Sequence, residues 1–138
     1  YVGKRLVLVD VAEIEQRGAL PDPVPRIHEV NAMMALGLNS GRAPSAVVGN
    51  TLGVTTDDVL AARIGASGCM LENMEAFGVA NTCALHGVPF ACVMGIANRV
   101  GSEARKEWQA NHRQASAAAC EVVNRWLGSG AMGLPHGG

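Results

Sequence analysis

One run of the chain begins Cys69-Met70-Leu71-Glu72-Asn73-Met74-Glu75-Ala76-Phe77-Gly78-Val79-Ala80. It continues through Leu85-His86-Gly87-Val88-Pro89-Phe90 and closes on Val93-Met94-Gly95-Ile96-Ala97-Asn98-Arg99-Val100-Gly101. Read physically, it is strand, acidic turn, helix, strand, polar loop. Cys69-Met70-Leu71 is a short apolar run. Asn73 is placed to cap the following helix, and Glu75 falls in its first turn, where the helix dipole favours a carboxylate. Val79, Ala80 and Cys83 make an apolar stripe at helical spacing. Gly87 ends that helix, and Val88 to Met94 reads as a strand buried on both faces. Asn98 then lies past the strand's carboxyl end, where open α/β sheets place their ligands. The pattern brings two polar residues, Glu75 and Asn98, to one rim.

On the amino-terminal side, the Leu/Val run Arg5 to Asp10 predicts a strand. Gly18, Pro21, Pro23 and Pro25 mark the following segment as mostly loop, with a helical turn near Val11 to Gln16. Pro25 suits the first position of a helix through Ile27, Val30, Met33 and Met34 to Leu36, ended by Gly37. His28 reads as a surface residue near its start. Ser40 to Pro44 is a turn. Ala46-Val47-Val48 is a strand entering the small-residue loop Gly49 to Thr55. Thr56 or Asp57 caps a helix from Asp58 to Ile64, and the acidic pair suits its positive end.

On the carboxyl-terminal side, Ser102 is a cap candidate for a long helix through Trp108, His112, Ala115, Ala119, Val122, Val123 and Trp126 to Leu127. Its apolar face is expected on the sheet. Gly128 to Gly138 is glycine-rich and is expected to be a flexible tail. Strands alternating with helices predict an α/β three-layer sandwich with a mixed, largely parallel sheet.

At 138 residues the chain can bury one modest core. Apolar residues make up 49% and aromatics 4%, so Ala, Val, Leu and Met must build it. The net charge is -1 without a basic patch, which argues against a nucleic-acid partner. No run of about 18 apolar residues and no signal-peptide pattern is present, so no membrane role is expected and the compartment is read as cytoplasmic. Cys69, Cys83, Cys92 and Cys120 lie apart in apolar segments and read as reduced thiols rather than as disulfides or metal ligands.

The stretch quoted above resembles the nucleoside phosphorylase and nucleosidase family, which contains purine nucleoside phosphorylases, methylthioadenosine nucleosidase and futalosine hydrolase. That family marks its ribose site with Met-Glu at the start of a helix, here Met74-Glu75. It marks its base site with Ser-Asp or Ser-Asn after the next strand, here Ala97-Asn98. The run from Gly95 to Gly101 is most similar to the futalosine hydrolase branch. The resemblance implies that residues 1–127 form the carboxyl-terminal half of a phosphorylase-like domain, completed by an amino-terminal half, a separate chain or a same-family subunit. It also implies an oligomer, and neither a metal nor a cofactor. It makes the backbone of Asn50, Thr51, Leu52 and Gly53 a border of the substrate. Two departures stand out. Ala76-Phe77-Gly78 occupies the place of the family's usual Gly-Ala-Ala. Met94 replaces the arginine that several nucleosidases carry four residues before the base-site residue.

Cleaving an N-glycosidic bond leaves positive charge on the ribose and negative charge on the base, and both need stabilising as they form. By resemblance, Glu75 grips the ribose hydroxyls with Met74 against the sugar face, and Asn98 meets the base. An asparagine amide has both a donor and an acceptor but does not titrate. It can donate to a 6-oxo oxygen and accept from a protonated ring nitrogen, which points to a 6-oxopurine nucleoside such as inosine or futalosine. Hydrolysis is the first reading. Phosphorolysis, with phosphate as second substrate, and a catalytically idle nucleoside-binding or structural subunit are the alternatives.

Overall fold

The computed structural model describes residues 1–40 and 43–135. The first strand, β1 (Val2–Leu8), starts earlier than the Leu/Val run suggested and stops before Asp10. The reason is local. Asp10 Oδ1 accepts the Glu13 N–H at 2.8 Å and caps a single helical turn, α1 (Val11–Ile14).

The helix expected from Pro25 to Leu36 is divided. Ile27–Glu29 is instead strand β2, antiparallel to β1 with His28 opposite Leu6. Helix α2 (Ala32–Asn39) begins only after Asn31, whose Oδ1 accepts the Met34 N–H at 2.9 Å. The free edge of β1 offers the backbone of residues 27–29 a ladder, which outweighs their helical spacing. Gly37 sits inside α2 rather than ending it. Its missing side chain admits the Trp126 indole, since a Cβ there would lie 2.7 Å from Nε1. His28 is not the surface residue expected: its ring packs on Phe77 with centroids 4.7 Å apart. The turn expected at Ser40 to Pro44 includes residues 41 and 42, which lie outside the described residues.

Strand β3 (Ser45–Asn50), helix α3 (Asp58–Ala66), strand β4 (Leu71–Asn73) and helix α4 (Ala76–Leu85) follow in the predicted order. The sheet runs β2-β1-β3-β4, with β1, β3 and β4 parallel and β2 antiparallel. Helices cover both faces. Leu6 and Val48, fully buried, pack with Ala76, Phe77 and Ala80 of α4 on one face. Val7 and Val47 face Ile64 and Leu60 of α3 on the other. A register shift between Gly3 and Arg5 leaves Lys4 unpaired, so Val2, Arg5 and Val7 pair with Ser45, Val47 and Gly49 and share that second face. Val2 there meets Met34 and Leu38 of α2. This is the α/β sandwich with a mixed, largely parallel sheet read from the sequence.

Two elements differ from expectation. Val88 to Met94 is not a doubly buried strand. Val88 is half-exposed, Pro89 withholds a donor, and the segment makes a single antiparallel bridge, Val93 to Val2. The last helix, α5 (Ala104–Gly128), starts after Glu103 and is not capped by Ser102. It packs at its carboxyl-terminal end, where Trp126 joins Val2, Met34 and Leu38, while Trp108 stays half-exposed and stacks on His112 at 4.4 Å. The start of the glycine-rich tail folds back on it: Trp126 Nε1 donates to the Met132 carbonyl at 3.0 Å. Among the described residues no helix is long and apolar enough to cross a membrane. Cys69, Cys83, Cys92 and Cys120 are free thiols.

Leu6 is fully buried at the centre of the sheet and of the α4 cluster. Leu6→Ala is expected to destabilise the fold by about 2–5 kcal/mol through lost transfer energy and a residual cavity. Urea unfolding of the two proteins, read by circular dichroism, checks this.

Candidate functional site

The parallel strands β3 and β4 end side by side, with Asn50 opposite Asn73. Just beyond, the Thr51 N–H donates to the Asn73 carbonyl at 3.1 Å. Asn73 performs the capping read from the sequence: its Oδ1 accepts the N–H groups of Glu75 at 2.9 Å and Ala76 at 2.6 Å. Glu75 therefore stands at the N-cap position of α4 without capping the helix through its own carboxylate. That carboxylate is exposed, next to the helix's positive end. Among the described residues it has no hydrogen-bond or ion-pair partner. Met74 beside it is half-exposed.

The four loop candidates behave differently. Asn50 is buried and serves the scaffold with its side chain, accepting the Phe77 N–H at 3.1 Å and donating to the Thr51 carbonyl at 3.4 Å. Thr51 is 2% exposed, and its Oγ1 has no partner among the described residues. Leu52 projects into solvent at 91% exposure, and Gly53 has open space where a side chain would be.

The Asn98 loop follows a route the sequence did not suggest. The loop from Gly95 runs along α5 toward that helix's amino terminus. A Cβ on Gly95 would lie 2.1 Å from the Ala115 carbonyl oxygen, so only glycine fits there. Asn111 Nδ2 donates to the Ala97 carbonyl at 3.0 Å, and the Arg99 N–H donates to Glu107 Oε2 at 2.7 Å. Loop positions 95, 97 and 99 thus meet helix positions 115, 111 and 107, two residues of extended chain for each helical turn. Asn98 is half-buried and donates from Nδ2 to the Arg99 carbonyl at 2.8 Å.

The end of this loop is pinned to the segment after β3. The Gly101 N–H donates to the Thr55 carbonyl at 3.2 Å. Asp58 takes both bonds Ser102 can give, from its N–H to Oδ1 and from its hydroxyl to Oδ2, each at 2.9 Å. Gly101 has φ +129°, and a Cβ there would meet Asp58 Oδ1 at 2.2 Å. Thr55 is itself held from the other side, its N–H donating to Glu72 Oε1 at 2.9 Å. The structure thus links Asn50, Thr51, Met74 and Glu75 closely at the ends of β3 and β4. It connects the Asn98 loop to them through Thr55 and Glu72, with no direct bond between Glu75 and Asn98. Two open cavities, of about 350 and 430 Å³, lie elsewhere, along the middle and at the carboxyl-terminal end of α5.

Glu72, Thr55, Asp58 and Ser102 are residues that sequence reasoning passed over or assigned otherwise. From its residue type Glu72 is either a neighbour of the ribose ligand or, preferably, a surface charge; in the structure its Oε2 is buried and has no partner among the described residues. The one available signal was parity, since a strand side chain flanked by Leu71 and Asn73 must face the opposite side of the sheet.

The family model of the phosphorylase superfamily matches residues 23–127. The chain belongs to the phosphorylase superfamily. Futalosine hydrolase from Streptomyces coelicolor is 33% identical over 87 residues, 62% of this chain and 36% of that protein. The 5'-methylthioadenosine/S-adenosylhomocysteine nucleosidase of Colwellia psychrerythraea, solved with adenine, superposes with a TM-score of 0.81 at 17% identity. That match covers 99% of this chain and 61% of the nucleosidase. The corresponding enzyme of Neisseria meningitidis, in complex with methylthio-immucillin-A, gives a TM-score of 0.77 at 16% identity, over 93% of this chain and 60% of that one. At these identities the structural likeness concerns the superfamily fold. The chain spans about a third of the hydrolase and about three-fifths of the nucleosidases.

The bonds from Ser102, its N–H first and then its hydroxyl, hold the Asp58 carboxyl below its ordinary value of 3.8, with Arg99 adding a smaller effect. A carboxylate whose folded-state pKa is depressed contributes stability above its unfolded value and loses it as pH falls through the folded one. The Asp58–Ser102 bonds are therefore expected to hold from neutrality down to about pH 4 and to weaken below it. The Ser102 amide resonance followed by NMR against pH should move in that acid range, and Asp58→Asn should abolish the transition.

Proposed function

We propose that this phosphorylase-superfamily chain supplies the ribose- and base-holding part of an enzyme that hydrolyses the N-glycosidic bond of a 6-oxopurine nucleoside, inosine- or futalosine-like. The observation that carries this reading is the Glu75 carboxylate at the start of α4, beside the carboxyl ends of the parallel strands and without a partner among the described residues. A carboxylate there can accept from both ribose hydroxyls and favour the cationic sugar of the transition state. Met74 would lie against the sugar face. Asn98 would hold the base: its Nδ2 now donates to the Arg99 carbonyl, and a modest side-chain turn would present the amide to a 6-oxopurine. Asn50 enters mainly as the residue that fixes α4, while the backbone of Thr51, Leu52 and Gly53 borders the nucleoside. The similarity to a futalosine hydrolase supports hydrolysis, with futalosine as a candidate substrate.

The remaining groups, among them the one that activates water, would come from an amino-terminal half or a partner subunit, in a soluble cytoplasmic oligomer. Phosphorolysis is the second reading, since the superfamily is one of phosphorylases. An idle nucleoside-binding or structural subunit is the third, carried by Met94 in place of an arginine and by the bulky Phe77.

Incubation of the purified protein, together with any co-purifying chain, with inosine and with futalosine distinguishes these readings. Free hypoxanthine without phosphate is the expected result. Release only with phosphate means phosphorolysis, and none from either substrate favours the idle subunit. Glu75→Gln should lower turnover about 100-fold with the fold intact; an unchanged rate removes Glu75 from the ribose site. Asn98→Ala should slow 6-oxopurine substrates about 10- to 100-fold relative to adenine nucleosides. An unaltered substrate ranking removes Asn98 from the base site.

A further inference from the structure

Glu72 sits on β4 with its side chain on the face opposite Leu71 and Asn73. Leu71 packs into the α4 cluster, and Asn73 caps α4. Glu72 instead turns under the segment that follows β3. There Oε1 accepts the Thr55 N–H at 2.9 Å, and Oε2 is buried with no partner among the described residues. Thr55 is 5% exposed, so this bond is shielded from water. Thr51, at the neighbouring strand end, also has a buried hydroxyl without a partner among the described residues.

A buried carboxylate oxygen without a donor is costly, so one accepted N–H is a poor explanation for a glutamate here if stability alone were served. What that N–H carries is more informative. The Thr55 backbone is bonded on both sides: its N–H to Glu72 of β4, its carbonyl to the Gly101 N–H of the Asn98 loop. Glu72, on β4, lies three residues before Glu75 at the N-cap of α4. One peptide segment therefore spans the gap between the two candidate ligands, which share no direct bond.

We infer that Glu72 is a positioning residue for the candidate site: through Thr55 it fixes both the loop after β3 and the Asn98 loop relative to Glu75. The inference rests on the reading of Glu75 and Asn98 as ribose and base ligands. Its physical part, the relay from Glu72 through Thr55 to Gly101, stands apart from that reading and is tested apart. The carboxylate makes the stronger, charge-assisted acceptor for an amide that must hold a loop in one place. Geometry within a fraction of an ångström matters to a group that acts only when the bond is breaking.

Amide hydrogen exchange on the full chain, with any co-purifying partner, decides the relay. In the unaltered protein the Thr55 and Gly101 amides should be protected and should exchange together. Glu72→Met keeps the stem and removes the acceptor. It should speed exchange at both amides about 10-fold or more, leaving the amides of β1 and β3 unchanged. Glu72→Gln keeps an acceptor oxygen and should restore most of the protection. Unchanged exchange at Gly101 in a folded Glu72→Met protein overturns the relay. If that variant does not fold, Gly101 exchanging independently of Thr55 in the unaltered chain does so. Where the protein releases hypoxanthine, Glu72→Met should lower kcat about 10- to 100-fold with a smaller change in KM, and Glu72→Gln should recover most of it. Raised exchange with unchanged kcat would show that the relay does not position the site. No release from either substrate favours the idle subunit, and exchange alone then decides the relay.

Discussion

The parallel pairing of β1 with β3 is the constraint on which the other elements depend. Six residue pairs from Val2–Ser45 to Leu8–Asn50 bury Leu6 and Val48 completely, on a face closed by α4. Parallel neighbours cannot be joined by a tight turn, so the chain must cross over between them. Residues between these strands supply α1, β2 and α2, and β2 returns along the free side of β1 before α2 covers the second face. The same demand recurs between β3 and β4, where α3 makes the crossover. Two consecutive crossovers proceed in one direction across the sheet and place α2 and α3 on one face, leaving the other to α4.

That arrangement gathers the candidate site at one rim. β3 and β4 end in register at Asn50 and Asn73, and both asparagines turn their side chains toward the start of α4. Their side-chain oxygens accept the N–H groups of Glu75, Ala76 and Phe77. Glu75 is thereby relieved of capping, and its carboxylate stays uncommitted in the positive field of the helix end. An acid freed from structural duty by two neutral neighbours is a sound basis for a ligand-holding group. The Asn98 loop depends on α5 instead. Its every-second-residue contacts with Ala115, Asn111 and Glu107 set its path, and Thr55 and Asp58 fix where it stops.

The elements that departed from expectation share one cause. Ile27, Val30, Met33 and Met34 have helical spacing, but the first part of that run lies against an unpaired strand edge, and a strand forms there. Val88 to Met94 has the composition of a buried strand, yet the upper part of the same edge of β1 is already occupied by β2. The segment is left a single bridge at Val93. Competition for one sheet edge is a tertiary matter, and neither run carries its outcome in its own residues. Ser102 illustrates the same point on a smaller scale. Its hydroxyl suits a helix cap, but Asp58, 44 positions earlier in the chain, offers it a charged acceptor.

The amino-acid sequence alone was enough for the α/β alternation, for a cap on α3 at Thr56 or Asp57, for the capping of α4 by Asn73, and for the Met74-Glu75 pair at a helix start. These rest on neighbours within a few residues, whose side-chain chemistry is sufficient to set the local backbone. Only the tertiary structure decided the β2-β1-β3-β4 order, the burial of Glu72, the scaffold duty of Asn50 and the course of the Asn98 loop along α5. Each of these depends on partners distant in the chain, such as Thr55 for Glu72, Phe77 for Asn50 and Asn111 for Ala97. Hydrogen bonds of that kind form where packing leaves a donor facing an acceptor, and packing is a property of the whole core.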